Sequence, residues 1–183
     1  MEKLEVFNEQ GNPTGEIVDR ATIHENGLWH RVSHVWIYTD EGEVLIQKRS
    51  EKKDAHPGLW DISAAGHIDI DESPETAAVR EVKEELGIDI ERDKLEFFDI
   101  KNINLIDKKN SIIDNEITYI FLYKHSGTIS EFSIDPEEVS EIKFVGINQL
   151  RKEFENSDKK NQFVPFDESY YLPIIEHILR LTK

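Results

Sequence analysis

The sequence predicts a mixed α/β (α+β) fold, built either as an α+β arrangement or as an α/β/α sandwich. The chain has 183 residues, of which 38% are hydrophobic and 33% charged, so it is long and apolar enough for one packed domain. Several segments rich in β-branched and aromatic residues predict strands, and a few segments have the apolar spacing of helices. The strands and the few helices alternate in mixed order, which favours these two architectures.

Runs of β-branched and aromatic residues between turn signals predict the strands. They are residues 4–8, 30–40, 41–50, 95–100, 116–123 and 141–147. The second and third runs meet at Asp40-Glu41-Gly42-Glu43, which is typical of a hairpin turn. The segment GNPTG, at residues 11–15, predicts a turn after the first strand.

Helices are predicted at residues 74–86, around 148–156 and at 168–181. Apolar side chains recur at helical spacing in the last of them: Tyr171, Ile174, Ile175, Ile178 and Leu179. We expect residues 1–183 to form a single domain, with residues 1–30 as an N-terminal strand and loop extension. Residues 168–181 are then its C-terminal helix.

The composition excludes several classes of partner. The net charge is −16, which argues against a surface for nucleic acid or anionic membranes, because both need a basic footprint. Small anionic substrates stay compatible with it when metal ions or local bases screen the charge. The chain lacks cysteine, which excludes disulfides and thiol chemistry. It has neither a membrane-spanning apolar run nor a signal-peptide pattern, so we expect a cytoplasmic protein, for which a homodimer remains open.

The helix at residues 74–86 has clear end signals. Ser73 is a good N-cap, Pro74 suits the first helical position, and Glu75 lies near the positive end of the helix dipole. Gly87 is a natural C-terminal stop. One face is apolar and can pack on the sheet, and it consists of Ala78, Val82 and Leu86.

Three glutamates crowd on a neighbouring side of this helix. Glu81, Glu84 and Glu85, here called the acidic arc, span roughly 100° of the helix surface. Arg80 lies one turn before Glu84 and can pair with it or orient its neighbours. An exposed acidic face is one interpretation. The other is a divalent-cation site, because Mg²⁺ binds hard oxygen ligands while it keeps waters and substrate phosphates in its shell.

The spacing of the segment decides between these interpretations. Five residues separate Gly66 from Glu72, and seven more lead to Arg80. Residues 66–88 resemble the Nudix box at each of its defined positions: Gly66, Glu72, Arg80, Glu81, Val82, Glu84, Glu85, Gly87 and Ile88. Nine matches at fixed spacing make a specific signal.

The resemblance implies a Nudix α/β/α sandwich with a mixed sheet, and Mg²⁺- or Mn²⁺-dependent hydrolysis of a diphosphate linkage. It assigns the metal ligands to the acidic arc, with one glutamate as the base for water. Glu72 and Arg80 would hold the helix in place, and Gly66 and Gly87 would be its turn points. Metal ions neutralise the diphosphate, orient water and stabilise the leaving oxygen, so no covalent intermediate is required.

The flanking residues extend the resemblance over nearly the whole chain. Residues 30–67 are similar to the corresponding stretch of type 1 isopentenyl-diphosphate isomerases, which share the Nudix fold. Those enzymes hold a divalent metal with three histidines and two acidic residues, and the matching positions are His24, His30, His67, Asp114 and Glu116. The resemblance thus implies a second divalent ion at the histidine cluster (His24, His30 and His67), where imidazole suits Mn²⁺ or Zn²⁺ better than Mg²⁺. Glu116 joins the acidic arc among the candidate catalytic residues.

The substrate contacts are less well defined by the sequence. Lys48 and Arg49, at the end of a strand, are candidate phosphate contacts, and a solvated strand end is the alternative. Five aromatic residues could stack on a base, although core packing is the expected role for most of them: Trp29, Trp36, Trp60, Phe163 and Phe166. The remaining histidines are expected to be structural or on the surface: His34, His56, His125 and His177.

One departure from the isomerases bears on the activity. They use a cysteine just before the Gly-His pair, whereas this chain has Ala64-Ala65 there, and Ser63 does not replace a thiolate. The isomerases also tend to have a degenerate box, whereas this box is complete. We therefore expect a hydrolase of the isomerase-like bacterial Nudix group, acting on a nucleoside diphosphate or on one linked to another group. The alternatives are an isomerase and a ligand sensor or scaffold without turnover.

Overall fold

The computed structural model describes residues 2–182, apart from the side chains of residues 157 and 158. Within this range the strands, numbered in chain order, are β1 Lys3–Phe7, β2 Pro13–Asp19, β3 Trp29–Tyr38, β4 Glu43–Arg49, β5 Trp60–Asp61, β6 Ala64–His67, β7 Leu95–Asp107, β8 Ile112–Lys124 and β9 Val139–Gly146. The α-helices are α1 Arg20–Asn26, α2 Pro74–Leu86, α3 Ile147–Glu155, α4 Ser157–Lys160 and α5 Glu168–Leu181.

Strand β3 is the centre of a mixed sheet. It runs parallel to β8 along its whole length and antiparallel to β6, and it also meets β1 and β4. β7 pairs with β8 at one edge, while β4 pairs with β9 and β5 on the other side. The predicted mixed α/β class is confirmed.

The predicted hairpin between β3 and β4 is only partly correct. Gly42 makes the turn with a φ of 73°, but the two strands pair only at Tyr38 and Val44 before they diverge. The Ser63 hydroxyl fills the gap: it accepts from the Ile37 N–H at 2.8 Å and donates to the Leu45 carbonyl at 2.6 Å. A side chain thus satisfies two buried backbone groups that a hairpin ladder would have paired.

Helix α2 forms as its end signals predict. The Ser73 hydroxyl accepts from the backbone N–H of Thr76, and Gly87 ends the helix in the left-handed region at a φ of 71°. The apolar face Ala78, Val82 and Leu86 is fully buried. It packs with one set of alternating strand residues: Val35, Ile37, Leu45 and Phe121.

The opposite face of the sheet is covered by α5. The other alternating set from the same strands, which includes Trp36, Ile46 and Leu122, packs with Tyr171 and Ile174 of that helix. Alternate residues of a strand point to opposite faces, so two buried sets mean that both faces are covered. This is the α/β/α sandwich.

Several boundaries differ from the predictions. The N-terminal extension contains β2 and the helix α1 rather than a strand and loop, and the predicted turn at residues 11–15 overlaps the start of β2. β7 and β8 are each 13 residues long, because the polar Asn102 and Asn104 occupy strand positions with one exposed face. None of the helices in residues 2–182 is both long enough and apolar enough to span a membrane.

Candidate active site

A polar cavity of about 520 Å³ lies between α2, β6, the end of α1 and the loop after β4. Ten of the predicted site residues line it: Arg49, Gly66, His24, His67, Arg80, Glu81, Glu84, Glu85, Asp114 and Glu116. His30 is fully buried next to this wall, 3.5 Å from Asp114. Two elements distant in sequence, the box helix and the start of β8, therefore meet at one cavity.

The three glutamates of the acidic arc differ in their exposure to solvent in the cavity. The side chain of Glu84 is 56% exposed and that of Glu81 13%, whereas Glu85 is buried. Arg80 Nη1 donates to Glu81 Oε1 at 2.6 Å and to Glu84 Oε2 at 3.1 Å, so the predicted pairing of Arg80 with Glu84 is confirmed. One guanidinium thus offsets part of the repulsion within the arc.

Glu85 has a different environment from its two neighbours. Its Oε2 accepts from Gln47 Nε2 at 2.8 Å and from the Ala65 backbone N–H at 3.2 Å. Burial raises the pKa of Glu85 to about 8, and burial also raises the pKa of Glu81. Two carboxyl groups that are costly to ionise in the protein alone would be stabilised as carboxylates by a divalent cation.

Arg80 and Glu72 tie the helix to the loop that follows β6. Arg80 forms a two-pronged contact with Glu72, Nε to Oε1 at 3.1 Å and Nη2 to Oε2 at 2.9 Å, and Nη2 also donates to the His67 carbonyl at 2.9 Å. The hydrogen bond with Glu72 raises the pKa of Arg80. A paired, planar guanidinium with this geometry sets the position of α2 relative to β6.

Steric contacts explain why glycine occupies two positions of the Nudix box, Gly66 and Gly87. A Cβ at Gly66 would collide with the Glu81 carboxylate, so only glycine lets this carboxylate approach the β6 backbone. Gly87 has a positive φ of 71°, and a Cβ there would meet the backbone of Ser133. Gly87 thus requires glycine, and Gly66 requires it for the observed position of the Glu81 carboxylate.

The histidine cluster is compact, with His24 and His30 buried and His67 partly buried. The ring centroids lie 5.4 Å apart for His24 and His30, 5.4 Å for His24 and His67, and 5.0 Å for His30 and His67. Asp114 Oδ1 is 3.7 Å from His24 Nε2 and 3.5 Å from His30 Nε2. Among the described residues, these three buried atoms have no hydrogen-bond partner. Unpartnered buried nitrogen and oxygen atoms are costly, and together they match the donor set of a bound cation.

The hydrogen bonds of two imidazoles point their other nitrogen atoms inward. His30 Nδ1 lies 3.1 Å from the Leu28 carbonyl oxygen, and His67 Nδ1 lies 2.7 Å from Glu2 Oε1. Both partners are acceptors, so Nδ1–H donates and Nε2 keeps its lone pair. Burial lowers the pKa of His24 to about 4 and that of His30 to about 3, which keeps these rings in the neutral, metal-binding form.

Only one of the two predicted phosphate contacts reaches the cavity. Arg49 lines it and pairs with Asp61 at 2.9 Å, whereas Lys48 is not among the described lining residues, because adjacent strand residues point to opposite faces. Lys53 and Arg20 are cations of the lining that the sequence did not indicate. They belong to polar segments without a periodic pattern, so no local signal distinguishes them from surface residues.

His34 and His56 are the histidines whose position differs most from expectation, since both line the cavity. His34 lies on β3 two and four residues from Val32 and His30, so strand alternation places all three on one face. That period was the signal available in the sequence. His34 Nε2 lies 3.6 Å from Glu116 Oε2, and burial lowers the pKa of His34 to about 4.

The aromatic residues mostly serve the core. Trp36, Phe163 and Phe166 are buried, and Phe166 alone of the five candidates lines the described cavity. Trp60 lies under Lys143 Nζ at 3.8 Å from the ring centroid. Of these five candidates, the cavity wall therefore includes one aromatic side chain, and that side chain is largely buried.

The position that holds a cysteine in the isomerases is occupied by alanine. Ala65 lines the cavity, while Ala64 is buried in the core. Ser63 is committed to Ile37 and Leu45 and lies outside the described lining. No thiol or free hydroxyl in this segment reaches the place where the isomerases have their acid–base group.

Comparison with known sequences shows the family to which the chain belongs. The family profile described as NUDIX domain matches residues 28–165. The chain is similar to an uncharacterised Nudix hydrolase of Clostridium acetobutylicum, with 35% identity covering 85% of this chain and 75% of that protein. It is also 31% identical to isopentenyl-diphosphate Delta-isomerase 2 of Photorhabdus laumondii, over 85% of this chain and 84% of the relative.

A longer plant protein is similar as well. Nudix hydrolase 3 of Arabidopsis thaliana is 33% identical over 91% of this chain, but the chain spans only 22% of that protein's length. Among solved structures, a Deinococcus radiodurans protein, DR0079, superposes over the full length of both chains with a TM-score of 0.66 and 19% identity. The NUDIX domain of Shewanella oneidensis NrtR, complexed with ADP ribose, gives a TM-score of 0.58 at 19% identity, over 84% of this chain and 88% of that chain. At this identity the structural likeness shows the fold alone.

Proposed function

The chain belongs to the NUDIX domain family, as a Nudix pyrophosphohydrolase, and we propose that it hydrolyses a diphosphate linkage with the help of divalent cations. The proposed substrate is a nucleoside diphosphate, or a nucleoside diphosphate joined to another group. The observation that carries the proposal is the convergence of Glu81, Glu84 and Glu85 on one wall of a cavity that is also lined by arginine and lysine side chains.

The acidic arc is the proposed site of Mg²⁺, with Mn²⁺ as the alternative. Its three side chains offer carboxylate oxygen ligands and differ in their exposure to solvent. Burial raises the pKa of Glu81 and Glu85, so a bound cation would stabilise their charged form. A bound Mg²⁺ supplies charge neutralisation of the diphosphate and activation of water. We assign the proton acceptor for water to a glutamate of the arc, and we include Glu116 on the adjoining wall among the catalytic residues.

The substrate's phosphate groups would contact the cations of the lining. Arg49, Lys53 and Arg20 face the cavity, and each already has an anionic neighbour in the protein. A phosphate competes with these carboxylates for the same donors, which favours a small, highly charged ligand over an uncharged one. We propose a cytoplasmic single-domain enzyme whose partner is this small molecule.

The histidine cluster is the proposed site of a second ion. Its unpartnered Nε2 atoms, together with Asp114 and Glu116, combine imidazole with carboxylate, which suits Mn²⁺ or Zn²⁺. This ion would position the substrate or stabilise the junction of α1, β3 and β8. The ligand atoms within each of the two overlapping groups, His24–His30–His67 and His30–Asp114–Glu116, lie within 4.8 Å of one another.

Isomerisation of isopentenyl diphosphate is the second candidate, and the Photorhabdus laumondii relative is the observation in its favour. Against it stand Ala65 in the wall and the absence of cysteine from the sequence. A sensor or scaffold without turnover is disfavoured by the intact box, since such a protein has no need of three carboxylates in one cavity.

One panel experiment separates these candidates. The purified protein is incubated with Mg²⁺ or Mn²⁺ and a mixed set of nucleoside diphosphates, their conjugates and isopentenyl diphosphate. We expect release of phosphate or diphosphate from at least one nucleotide, and no allylic isomer above a metal-free blank. Allylic product would establish the isomerase, and no turnover of any compound would favour the sensor.

A further inference from the structure

Two buried hydrogen bonds and one longer polar contact connect the core with Glu116 at the cavity wall. Trp36 Nε1 lies 3.1 Å from the Tyr170 hydroxyl, and this hydroxyl lies 2.8 Å from His34 Nδ1. The other nitrogen of the ring, His34 Nε2, faces Glu116 Oε2 at 3.6 Å. Trp36, His34 and Tyr170 are each at least 97% buried, so solvent does not compete for the two hydrogen bonds of the Tyr170 hydroxyl.

The donors and acceptors along these contacts have one consistent arrangement. The indole N–H of Trp36 can only donate, so the Tyr170 hydroxyl accepts from it. Among the described residues, His34 Nδ1 is the remaining partner for the hydroxyl hydrogen. Nδ1 therefore accepts, and the ring proton lies on Nε2.

The alternative neutral form of the ring is disfavoured. A proton on Nδ1 would leave the buried Tyr170 hydrogen without an acceptor, which costs free energy. A doubly protonated ring, like the favoured neutral one, presents Nε2–H to Glu116, so the direction of the contact does not depend on the charge of His34.

This N–H acts on one oxygen of Glu116. Oε2 faces His34 Nε2 at 3.6 Å and accepts from Thr118 Oγ1 at 3.3 Å, whereas Oε1 has no hydrogen bond from the residues that the structure describes. Glu116 also shares a potential cation site with His30 and Asp114. We propose that His34, its tautomer fixed by Tyr170 and Trp36, is a positioning residue that holds Oε2 of Glu116 and leaves the other oxygen for the ion at the histidine cluster. This inference rests on the proposed function of that cluster.

The tautomer is tested first, without any metal. Long-range ¹H–¹⁵N spectra of the metal-free, uniformly ¹⁵N-labelled protein report which ring nitrogen carries hydrogen, and the His34 signals are assigned by their loss in His34→Asn. We expect protonated Nε2 and unprotonated Nδ1 in the wild type, and a changed Nδ1 signal in Tyr170→Phe. A neutral ring with hydrogen on Nδ1 overturns the inference.

The positioning role is tested with a pair of amide variants. The amide of His34→Gln lies near the former Nε2 and can still donate to Glu116, whereas that of His34→Asn lies near Nδ1. Binding of Mn²⁺ is measured by calorimetry in excess Mg²⁺, which occupies the acidic arc. We expect about tenfold weaker binding for His34→Asn and recovery to within about threefold of wild type for His34→Gln.

His177→Asn is the matched control, because this histidine contacts Glu96 away from the cavity and should leave binding unchanged. Wild-type affinity in His34→Asn, with thermal unfolding also unchanged, overturns the positioning role. A wild-type protein that binds no Mn²⁺ under these conditions refutes the proposed second ion, and the positioning role with it, before any variant is compared. The two failures are thus distinguishable.

Discussion

The acidic arc and the histidine cluster share one cavity and meet at β6, but they differ in whether the protein supplies hydrogen-bond partners for their polar atoms. In the arc, Arg80 donates to Glu81 and Glu84, and Gln47 donates to Glu85. In and beside the cluster, His24 Nε2, His30 Nε2 and Asp114 Oδ1 are buried with no hydrogen-bond partner among residues 2–182. Donors of the protein thus offset part of the negative charge of the arc. The unpartnered polar atoms at the cluster would instead need a bound ligand, such as a cation, to satisfy them.

This difference predicts different consequences of losing an ion. The arc can exist without a cation, because protonation and Arg80 relieve its repulsion, so the cation there matters most for the reaction. The described residues offer the cluster no comparable substitute, so we expect the ion proposed there to matter most for binding and for the local structure. Variants and pH can separate the two sides.

The largest effect is expected for Glu85→Gln. The amide keeps the shape and the contact with Gln47 but removes a metal-binding charge, so kcat should fall by roughly 10²- to 10³-fold, the size seen when one electrostatic partner of a transition state is lost. Turnover at saturating Mg²⁺ is the measurement, and Glu176→Gln, an exposed glutamate of α5, is the control. Near wild-type turnover would remove Glu85 from the site.

The next effect is expected for His67→Ala on metal content. Loss of one imidazole should lower Mn²⁺ or Zn²⁺ affinity by at least about tenfold and reduce the stoichiometry of the purified protein. Mg²⁺ binding by Glu81, Glu84 and Glu85 should be retained. Elemental analysis together with Mg²⁺ calorimetry checks both parts. A structure with bound Mn²⁺ in which His30 and His67 lie beyond about 2.3 Å from the ion would return these residues to hydrogen-bonding roles.

The metal-free protein should show opposite pH dependences for the two sides. Burial raises the pKa of Glu85 to about 8, so between the unfolded value of 4.5 and pH 8 the folded state binds more protons, and its stability falls as pH rises. Burial lowers the pKa of His24 to about 4 and that of His30 to about 3, so their contribution to stability is present above 6.5 and is lost as pH falls from there through 4 and 3.

Above pH 6.5 the contribution of the buried carboxyl groups should remain, since burial raises the pKa of Glu116 as well as that of Glu85. With EDTA present, Glu85 should lower the free energy of unfolding by up to about 1.4 kcal/mol per pH unit between pH 6.5 and 8. Urea unfolding at half-unit steps measures the slope, and Glu85→Gln should reduce it. A slope that persists unchanged in this variant would mean that another group titrates there.

The smallest effect distinguishes two lysines. Lys53 lines the cavity, so Lys53→Ala should raise KM about fivefold, as expected for the loss of an interaction worth about 1 kcal/mol. Lys48→Ala should leave KM unchanged, because that side chain points to the other face of β4. Steady-state kinetics on the same substrate compares the two. An equal increase in both variants would show that phosphate reaches beyond the described lining.

The sequence by itself determined the local parts of this protein. Ser73, Gly87 and the apolar face of α2 specify a helix within 15 residues, because capping and helical period act between near neighbours. The same period places Glu81, Glu84 and Glu85 together. The two sequence resemblances added the histidines and Asp114, which no local pattern would have joined.

Only the tertiary structure decided what lies around these elements. His34 meets Tyr170 across 136 residues, and Ser63 bridges strands that a hairpin pattern would have paired directly. Such contacts depend on sheet register and on which face of a strand is covered, and both are set by the packing of distant segments. Lys53 lines the cavity, whereas Lys48 is not among the described lining residues. Both are polar residues close together in the sequence, and the folding of the chain around them determines which side chain faces the cavity.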